Sequence, residues 1–349
     1  MRSDAFSRAM LAAAVLLGLS LPAVAQEKGL ASVKTDAAPA IDGKRDEAWA
    51  KAKPVTIELS KLVYSPANYK GEQKTAVTLS SLYDNESIYI LAQWKDSSQS
   101  LEQQPWVKQA DGSWKQKRDL DDTGRENQFA EDKLALLWNI NTAGFETRGC
   151  AAVCHRGRGG KISGVADNSP GRKFTDKAGE TVDMWLWKAV RSNPVGQVDD
   201  GFIDDTHDPA KNAEWGRKND SGGGGFVDNV NADKSAPAFM STGSTGKGWV
   251  LEDQKAPFAD TFKAGDMVGS LIGAALTGSR GDITGAATWE NGTWTLEIKR
   301  KLVTTGEGAK QQDVQFEDRK KSYFFGVSVF DHTDSAHMYH EGSVKLTFN

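Results

Sequence analysis

Apolar and polar positions alternate along several short stretches of the chain, with the two-residue period of a β-strand. Residues 75–83 and 87–94 flank a polar turn, and residues 286–289 and 293–299 flank the turn at Asn291 and Gly292. Alternating runs joined by such turns are typical of β-hairpins. Further strands are predicted over residues 133–140, 322–330 and 343–348.

Within residues 293–299, Trp294, Leu296 and Ile298 share one face, and Thr295, Glu297 and Lys299 are expected to face solvent. This pattern indicates a half-buried antiparallel sheet. Helical signals are few: one short helix is expected after Asp46 and another around residues 182–190. The predicted fold is therefore an all-β antiparallel sandwich with long loops, which are expected between residues 145 and 280.

The N-terminus has the features of an export signal. Two arginines precede an apolar run at residues 10–19, and Ala23-Val24-Ala25 supplies small residues for cleavage. The run is too short to span a bilayer. We expect a signal peptide over residues 1–25, a periplasmic protein without a membrane span, and one domain over residues 26–349. A two-domain division near Gly144 is the alternative.

Charge and composition exclude some classes of partner and of fold. The 349 residues contain 43 Lys and Arg against 47 Asp and Glu, a formal net charge of -4, so nucleic acid is not an expected partner. The 35 glycines and 11 tryptophans favour turn-rich β structure. The two cysteines exclude a framework of several disulfides.

Both cysteines lie in one segment, Cys150-Ala-Ala-Val-Cys154-His155. This segment is one residue longer than the C-x-x-C-H signature of covalent haem attachment. In that chemistry two thiols bind the vinyl groups of one porphyrin, and the following histidine coordinates the iron. The sequence therefore predicts one haem c on Cys150 and Cys154, with His155 as the proximal iron ligand.

Other interpretations of the cysteines stay open. In an oxidising compartment the pair could form a Cys150–Cys154 disulfide in a carbohydrate- or ligand-binding sandwich. Half of a zinc site is a further alternative, although the chain has no second cysteine pair. A haem sensor or haem enzyme with an open distal position is the third class.

Electron-transfer haems usually have a second axial ligand. His337 and His340 are the distal candidates, and in an extended segment they point to opposite faces, so at most one of them meets the iron. Trp185, Trp187 and Lys188 are expected to belong to the haem pocket. The alternative is that the two tryptophans belong to the hydrophobic core and have no role in the pocket.

Several motifs occur in an order that resembles the ethylbenzene-dehydrogenase-type haem-binding domain, a relative of the family 9 carbohydrate-binding β-sandwich. They are Ile41-Asp-Gly-Lys-Arg-Asp-Glu-Ala-Trp49, Leu82-Tyr-Asp-Asn-Glu-Ser-Ile-Tyr89, the segment from Cys150 to His155, Asp183-Met-Trp-Leu-Trp-Lys-Ala189 and the His337 region. The resemblance implies a β-sandwich whose long loops enclose a haem. In that family, the gamma subunits of exported molybdenum enzymes bind non-covalent haem b through Met and Lys.

This chain departs from that pattern by carrying two cysteines. His155 would take the place of the Met ligand, and the segment from His337 to His340 that of the Lys. The prediction is a periplasmic mono-haem c-type cytochrome that transfers single electrons and is not an enzyme. The expected partners are redox proteins, such as a molybdoenzyme or a quinol-linked membrane cytochrome.

Overall fold

The computed structural model describes residues 28–154, 160–162, 165–167, 172–208, 210–243, 248–306 and 308–349. The expected signal peptide over residues 1–25 lies outside them. Of the helices in these ranges, none has the length and apolar character needed to cross a bilayer.

The described residues fold almost entirely as β-strands. The strands are β1 (Lys28–Lys34), β2 (Val55–Leu59), β3 (Lys61–Leu62), β4 (Thr75–Tyr83), β5 (Ser87–Lys95), β6 (Trp106–Lys108), β7 (Trp114–Gln116), β8 (Lys133–Asn139), β9 (Gly160–Ile162), β10 (Val165–Asp167), β11 (Val182–Lys188), β12 (Asp199–Ile203), β13 (Arg217–Asn219), β14 (Gly225–Asp228), β15 (Phe239–Ser241), β16 (Val250–Leu251), β17 (Lys255–Pro257), β18 (Met267–Val268), β19 (Leu271–Ala274), β20 (Thr284–Glu290), β21 (Thr293–Lys301), β22 (Tyr323–Phe330), β23 (Met338–Tyr339) and β24 (Val344–Phe348). The α-helices are α1 (Phe145–Arg148) and α2 (Ala309–Gln312), and short 3-10 turns occur at Glu47–Lys51, Cys150–Ala152, Asn193–Val195, Glu252–Gln254 and Ser279–Gly281.

One large sheet organises the fold. Its strands follow the order β13-β12-β11-β8-β22-β24-β1-β4-β5-β21-β20, with β2 added on β4 and β23 lying between β22 and β3. The strand β1 runs parallel to both β24 and β4, and the other pairs are antiparallel. Four smaller sheets (β9-β10, β14-β19-β16, β15-β17 and β18-β6-β7) lie outside it.

The large sheet curls so that its two halves face each other. Trp187 of β11 packs against Trp94 of β5 and Trp294 of β21, with ring centroids 5.8 and 5.0 Å apart. The two ends of the strand order also meet, near β12 and β20. There the amide of Val198 donates to the carbonyl of Ile283 at 3.1 Å. Apolar residues from both halves form one buried cluster. The expected all-β sandwich is therefore confirmed.

The predicted hairpins are confirmed within a residue or two at each end, as β4-β5 and β20-β21. The helix expected around residues 182–190 is wrong, since Val182–Lys188 is the strand β11. All seven of its residues are buried, so no alternation marked it as a strand. Residues 145–280, where long inserted loops are expected, also supply the strands β11, β12 and β13 to the large sheet.

The expected exposure of Glu297 is wrong as well. Its carboxylate accepts hydrogen bonds from the indole of Trp49 at 2.7 Å and from the amides of Asp42 and Gly43 at 3.0 and 2.9 Å. The segment that carries the first sequence motif thus covers the outer face of β21 and is fixed there by one buried acid.

The outer face of β8, β11 and β22 is also covered. Leu134, Leu136 and Trp138 belong to the sandwich core, whereas Ala135 and Leu137 belong to a second buried cluster. The residues of this second cluster include Phe145, Ala152, Val153, Met184 and Leu186. The segment that contains Cys150 and Cys154 therefore covers the outer face of these three strands, and the candidate site lies between the segment and the sheet.

Candidate functional site

The cysteine segment is held on the sheet by two close approaches that only glycine allows. A Cβ on Gly326 of β22 would lie 2.3 Å from the sulfur of Cys150. Gly149 has a φ of 53°, and its Cβ would lie 1.8 Å from the carbonyl oxygen of Gly342. These contacts press the turn at Cys150 directly against the outer face of β22.

Both thiols lie in this turn, and no disulfide joins them. The amide of Cys154 donates to the carbonyl of Cys150 at 3.0 Å, and the amide of Phe174 donates to Val153 at 3.0 Å. Burial raises the pKa of the Cys150 thiol well above its usual value. The pair is therefore a buried dithiol fixed by main-chain hydrogen bonds, and burial favours the neutral form of the Cys150 thiol.

Next to the cysteines lies a cavity of about 740 Å³, within the range of small-molecule and cofactor sites. Its floor consists of outer-face residues of three adjacent strands, and its wall contains both cysteines. The floor residues are Lys133, Ala135 and Leu137 of β8, Met184, Leu186 and Lys188 of β11, and Ser328 and Phe330 of β22.

Among the histidines predicted to bind a metal, His337 lines this cavity. Its side chain is buried, its ring packs on that of Phe330 with centroids 4.2 Å apart, and its Nδ1 lies 2.8 Å from the carbonyl oxygen of Ser335. His340 is not among the lining residues, and its Nδ1 lies 3.2 Å from the carbonyl oxygen of Glu58. His155, the predicted proximal ligand, lies outside the described residues.

The predicted pocket role of the tryptophans needs correction. Trp185 and Trp187 point into the sandwich core, because successive residues of a strand face opposite sides. The cavity takes the alternate residues of β11, including Lys188. Lys188 forms an ion pair with Asp199. The same carboxylate also forms an ion pair with Arg280, whose Nε lies 2.7 Å from Oδ1 of Asp199.

The cavity is strongly basic. Nine lysines and arginines line it, against Asp199, Glu214 and Asp334. Burial lowers the pKa of both Lys133 and Lys188 to about 8, because the charged ammonium groups lose contact with water. Charge recognition at this site therefore favours a ligand with negative groups.

Sequence reasoning missed most of these cations, which come from separate parts of the chain: Arg125, Lys133, Lys173, Arg191, Lys211, Arg217, Lys218 and Arg280. One signal could have located the floor. The runs Lys133–Asn139 and Val182–Lys188 are buried on both faces, and such strands need a covering layer on each side.

The protein family described as ethylbenzene dehydrogenase matches residues 46–342 of this chain. Among curated proteins, none matches the chain significantly. Two similar solved structures are of a family 9 carbohydrate-binding module from Caldicellulosiruptor kristjanssonii, in complex with cellotriose and with glucose. Their identities to this chain are 9% and 10%, each with a TM-score of 0.32, covering 92% and 91% of this chain and 95% and 96% of theirs.

Proposed function

Because the chain belongs to the ethylbenzene dehydrogenase family, we propose that it binds one haem in the cavity beside Cys150 and Cys154 and transfers single electrons. The observation that carries the proposal is the meeting of both thiols and the His337 imidazole at one cavity. These groups are far apart in sequence, and they are the residue types that covalent haem attachment and iron coordination require.

The residues of the cavity fit a haem in polarity. Leu137, Met184, Leu186 and Phe330 supply apolar surface for the porphyrin face. The surrounding lysines and arginines supply positive charge for the two propionates, which arginine binds with paired hydrogen bonds. A neutral sugar would leave this charge uncompensated, so the basic lining supports an anionic ligand over a carbohydrate.

The roles of individual residues follow from their positions. Cys150 and Cys154 would hold the porphyrin through thioether bonds, and His155 is the proximal ligand that the sequence motif predicts. His337 is the proposed distal ligand, since it lines the cavity and His340 does not. Phe330 orients the His337 ring by packing, and Lys188 is a partner for a propionate, close to Asp199 and Arg280.

A bound haem would supply a one-electron couple, with a potential set by its axial ligands and its burial. The chain would contribute a covered apolar floor that limits water and a basic wall that stabilises the negative charge of the cofactor. We propose an electron carrier rather than an enzyme, exported to the periplasm after cleavage of residues 1–25. Its partners would be redox proteins, such as a molybdoenzyme or a quinol-linked membrane cytochrome.

A spectrum of the purified protein tests this function. The full chain is expressed with its N-terminal segment in a host that attaches haem c, and its reduced pyridine haemochrome is recorded. The expected result is a c-type α-band that persists after extraction with acidified acetone. A colourless protein contradicts the proposal and favours the ligand-binding alternative. A large spectral shift of the reduced protein with carbon monoxide contradicts a closed distal site.

A further inference from the structure

Four aspartates meet inside the sandwich, on the face of β11 and β12 that points away from the cavity. They are Asp183 of β11, Asp200 of β12, Asp220 just after β13 and Asp313 just after α2, with exposed fractions of 0, 1, 4 and 0%. Oxygen atoms of Asp183, Asp200 and Asp313 lie within 4.8 Å of one another. Carboxylates this close and this buried repel each other unless a cation or protons lie among them.

Each carboxylate is oriented by donors on one oxygen only. The Oδ2 atom of Asp183 accepts from the indole of Trp185 at 3.0 Å and from the amide of Val314 at 2.9 Å. The Oδ1 atom of Asp200 accepts from the amide of Gly201 at 3.0 Å. The second oxygen of both residues is buried and accepts no hydrogen bond.

Asp313 and Asp220 repeat this arrangement. Thr304 donates to Oδ2 of Asp313, and Ser279 donates to Oδ2 of Asp220 at 3.2 Å. The Oδ1 atoms of both are buried without a hydrogen bond. The amide of Asp220 donates to the carbonyl of Asp200 at 3.3 Å, which places Asp220 directly beside Asp200. Oriented carboxylates with one oxygen left over are typical of metal ligands held by an outer shell of donors.

Arg300 forms ion pairs with three of these carboxylates, but its single charge cannot balance four. Its Nη2 lies 3.1 Å from Asp313 and 3.7 Å from Asp183, and its Nε lies 3.8 Å from Asp200. Neither nitrogen makes a hydrogen bond of good geometry. When the carboxylates are ionised, the guanidinium leaves negative charge uncompensated, and a divalent cation would offset two further charges.

A second acidic group differs in this respect. Oxygen atoms of Asp96, Asp132 and Asp331 also lie within 4.8 Å of one another. Both oxygens of Asp132 and of Asp331, however, accept hydrogen bonds from the chain. This group therefore has no comparable set of unsatisfied oxygens.

We propose that Asp183, Asp200, Asp220 and Asp313 bind one divalent cation of the calcium type. Their ligand atoms are all carboxylate oxygens, the hard donors that calcium prefers, and calcium accepts irregular coordination more readily than magnesium. The ion would tie β11, β12 and β13 to the segment after α2. It would thereby support the two strands whose opposite face carries Lys188 and Asp199 in the cavity wall.

The test uses the full chain dialysed against EGTA and then titrated with CaCl2 by calorimetry. Bound calcium is also counted by mass spectrometry of the metal, and melting is followed with and without EGTA. We expect one calcium per chain and a higher melting temperature in calcium. Thr304→Val, which removes a donor to Asp313, should weaken calcium binding by about 10- to 100-fold.

Asp220→Asn should weaken binding by at least the same factor, and Asp228→Asn, at an exposed residue, is the matched control. Melting in EGTA shows whether each variant folds. The proposal is overturned if the wild-type protein binds no calcium, or if folded Asp220→Asn binds it as tightly as Asp228→Asn does. In the first case protons neutralise the cluster, and stability depends on pH without responding to calcium.

Discussion

The ring of His337 lies against the ring of Phe330, with their centroids 4.2 Å apart and their planes inclined by 34°. This contact fixes the imidazole in the cavity wall, on the same outer face of the sheet as Cys150 and Cys154. The three side chains thus meet although almost 190 residues separate the first from the last. The proposed haem site depends on this meeting.

His337→Ala should convert the haem from low spin to high spin, because the proposed distal ligand is lost. His340→Ala is the control and should leave the spectrum unchanged, since His340 does not line the cavity. Visible absorption and electron paramagnetic resonance of both variants measure the spin state. If His340→Ala alone becomes high spin, the distal assignment is reversed.

Gly326→Ala should disturb the cysteine turn, because the new Cβ would lie 2.3 Å from the sulfur of Cys150. Overpacking of this kind costs about 1–3 kcal/mol of the free energy of unfolding. The variant should also retain less covalent haem. Gly29→Ala is the control, since no atom lies within 4 Å of its added Cβ. Denaturant unfolding and the haem-to-protein absorbance ratio measure both effects, and equal behaviour of the two variants would contradict the proposed packing.

Trp187→Phe tests the placement of this side chain in the core. The variant loses ring volume against Trp94 and Trp294 and the hydrogen bond from the indole to Asn193. A loss of about 1–3 kcal/mol in the free energy of unfolding is expected. The haem spectrum should not change, because Trp187 faces away from the cavity. A shifted Soret band with an unchanged free energy of unfolding would contradict the core placement and show that Trp187 contacts the haem.

The acidic group around Asp96 should make stability depend on pH. Burial, followed by the charges of Asp132 and Asp331, raises the pKa of Asp96 to about 8, and burial raises that of Asp132 to about 7. The folded state therefore binds more protons than the unfolded state between about pH 4 and pH 8. The resulting stabilisation is complete below pH 4 and is lost as the pH rises to about 8.

Asp96→Asn should flatten this part of the stability profile, because the amide does not titrate. Asp36→Asn, at an exposed residue, should keep the wild-type slope. Urea unfolding at a series of pH values measures the slope. A profile that stays equally steep in Asp96→Asn would show that this group does not cause the dependence.

The hairpins were predictable because each pair of strands flanks a short polar turn, which is a local signal in the sequence. The strand β11 was not, since both of its faces are covered and its residues are uniformly buried. The same limit applied to Glu297, whose burial depends on a segment about 250 residues earlier in the chain.

The candidate site was predictable only in part. The thiol pair and the histidine-rich segment were visible as local motifs, and Lys188 was included because it lies in a conspicuous aromatic cluster. The pairing of β8 with β11 and β22 decides which side of that cluster meets the cavity. Lys188 therefore lies on the cavity side of β11, whereas Trp185 and Trp187, at alternating positions of the same strand, lie on the core side. The basic lining required the tertiary fold, because its cations come from many different segments.

The most direct test of the central claim is the intact mass of the exported, mature chain. The account predicts an added mass of about 616 Da, that of one haem joined through two thioether bonds. The added mass should be absent when Cys150 and Cys154 are both replaced by serine. A wild-type polypeptide without this mass, isolated from a host that attaches haem c to other proteins, would contradict the account.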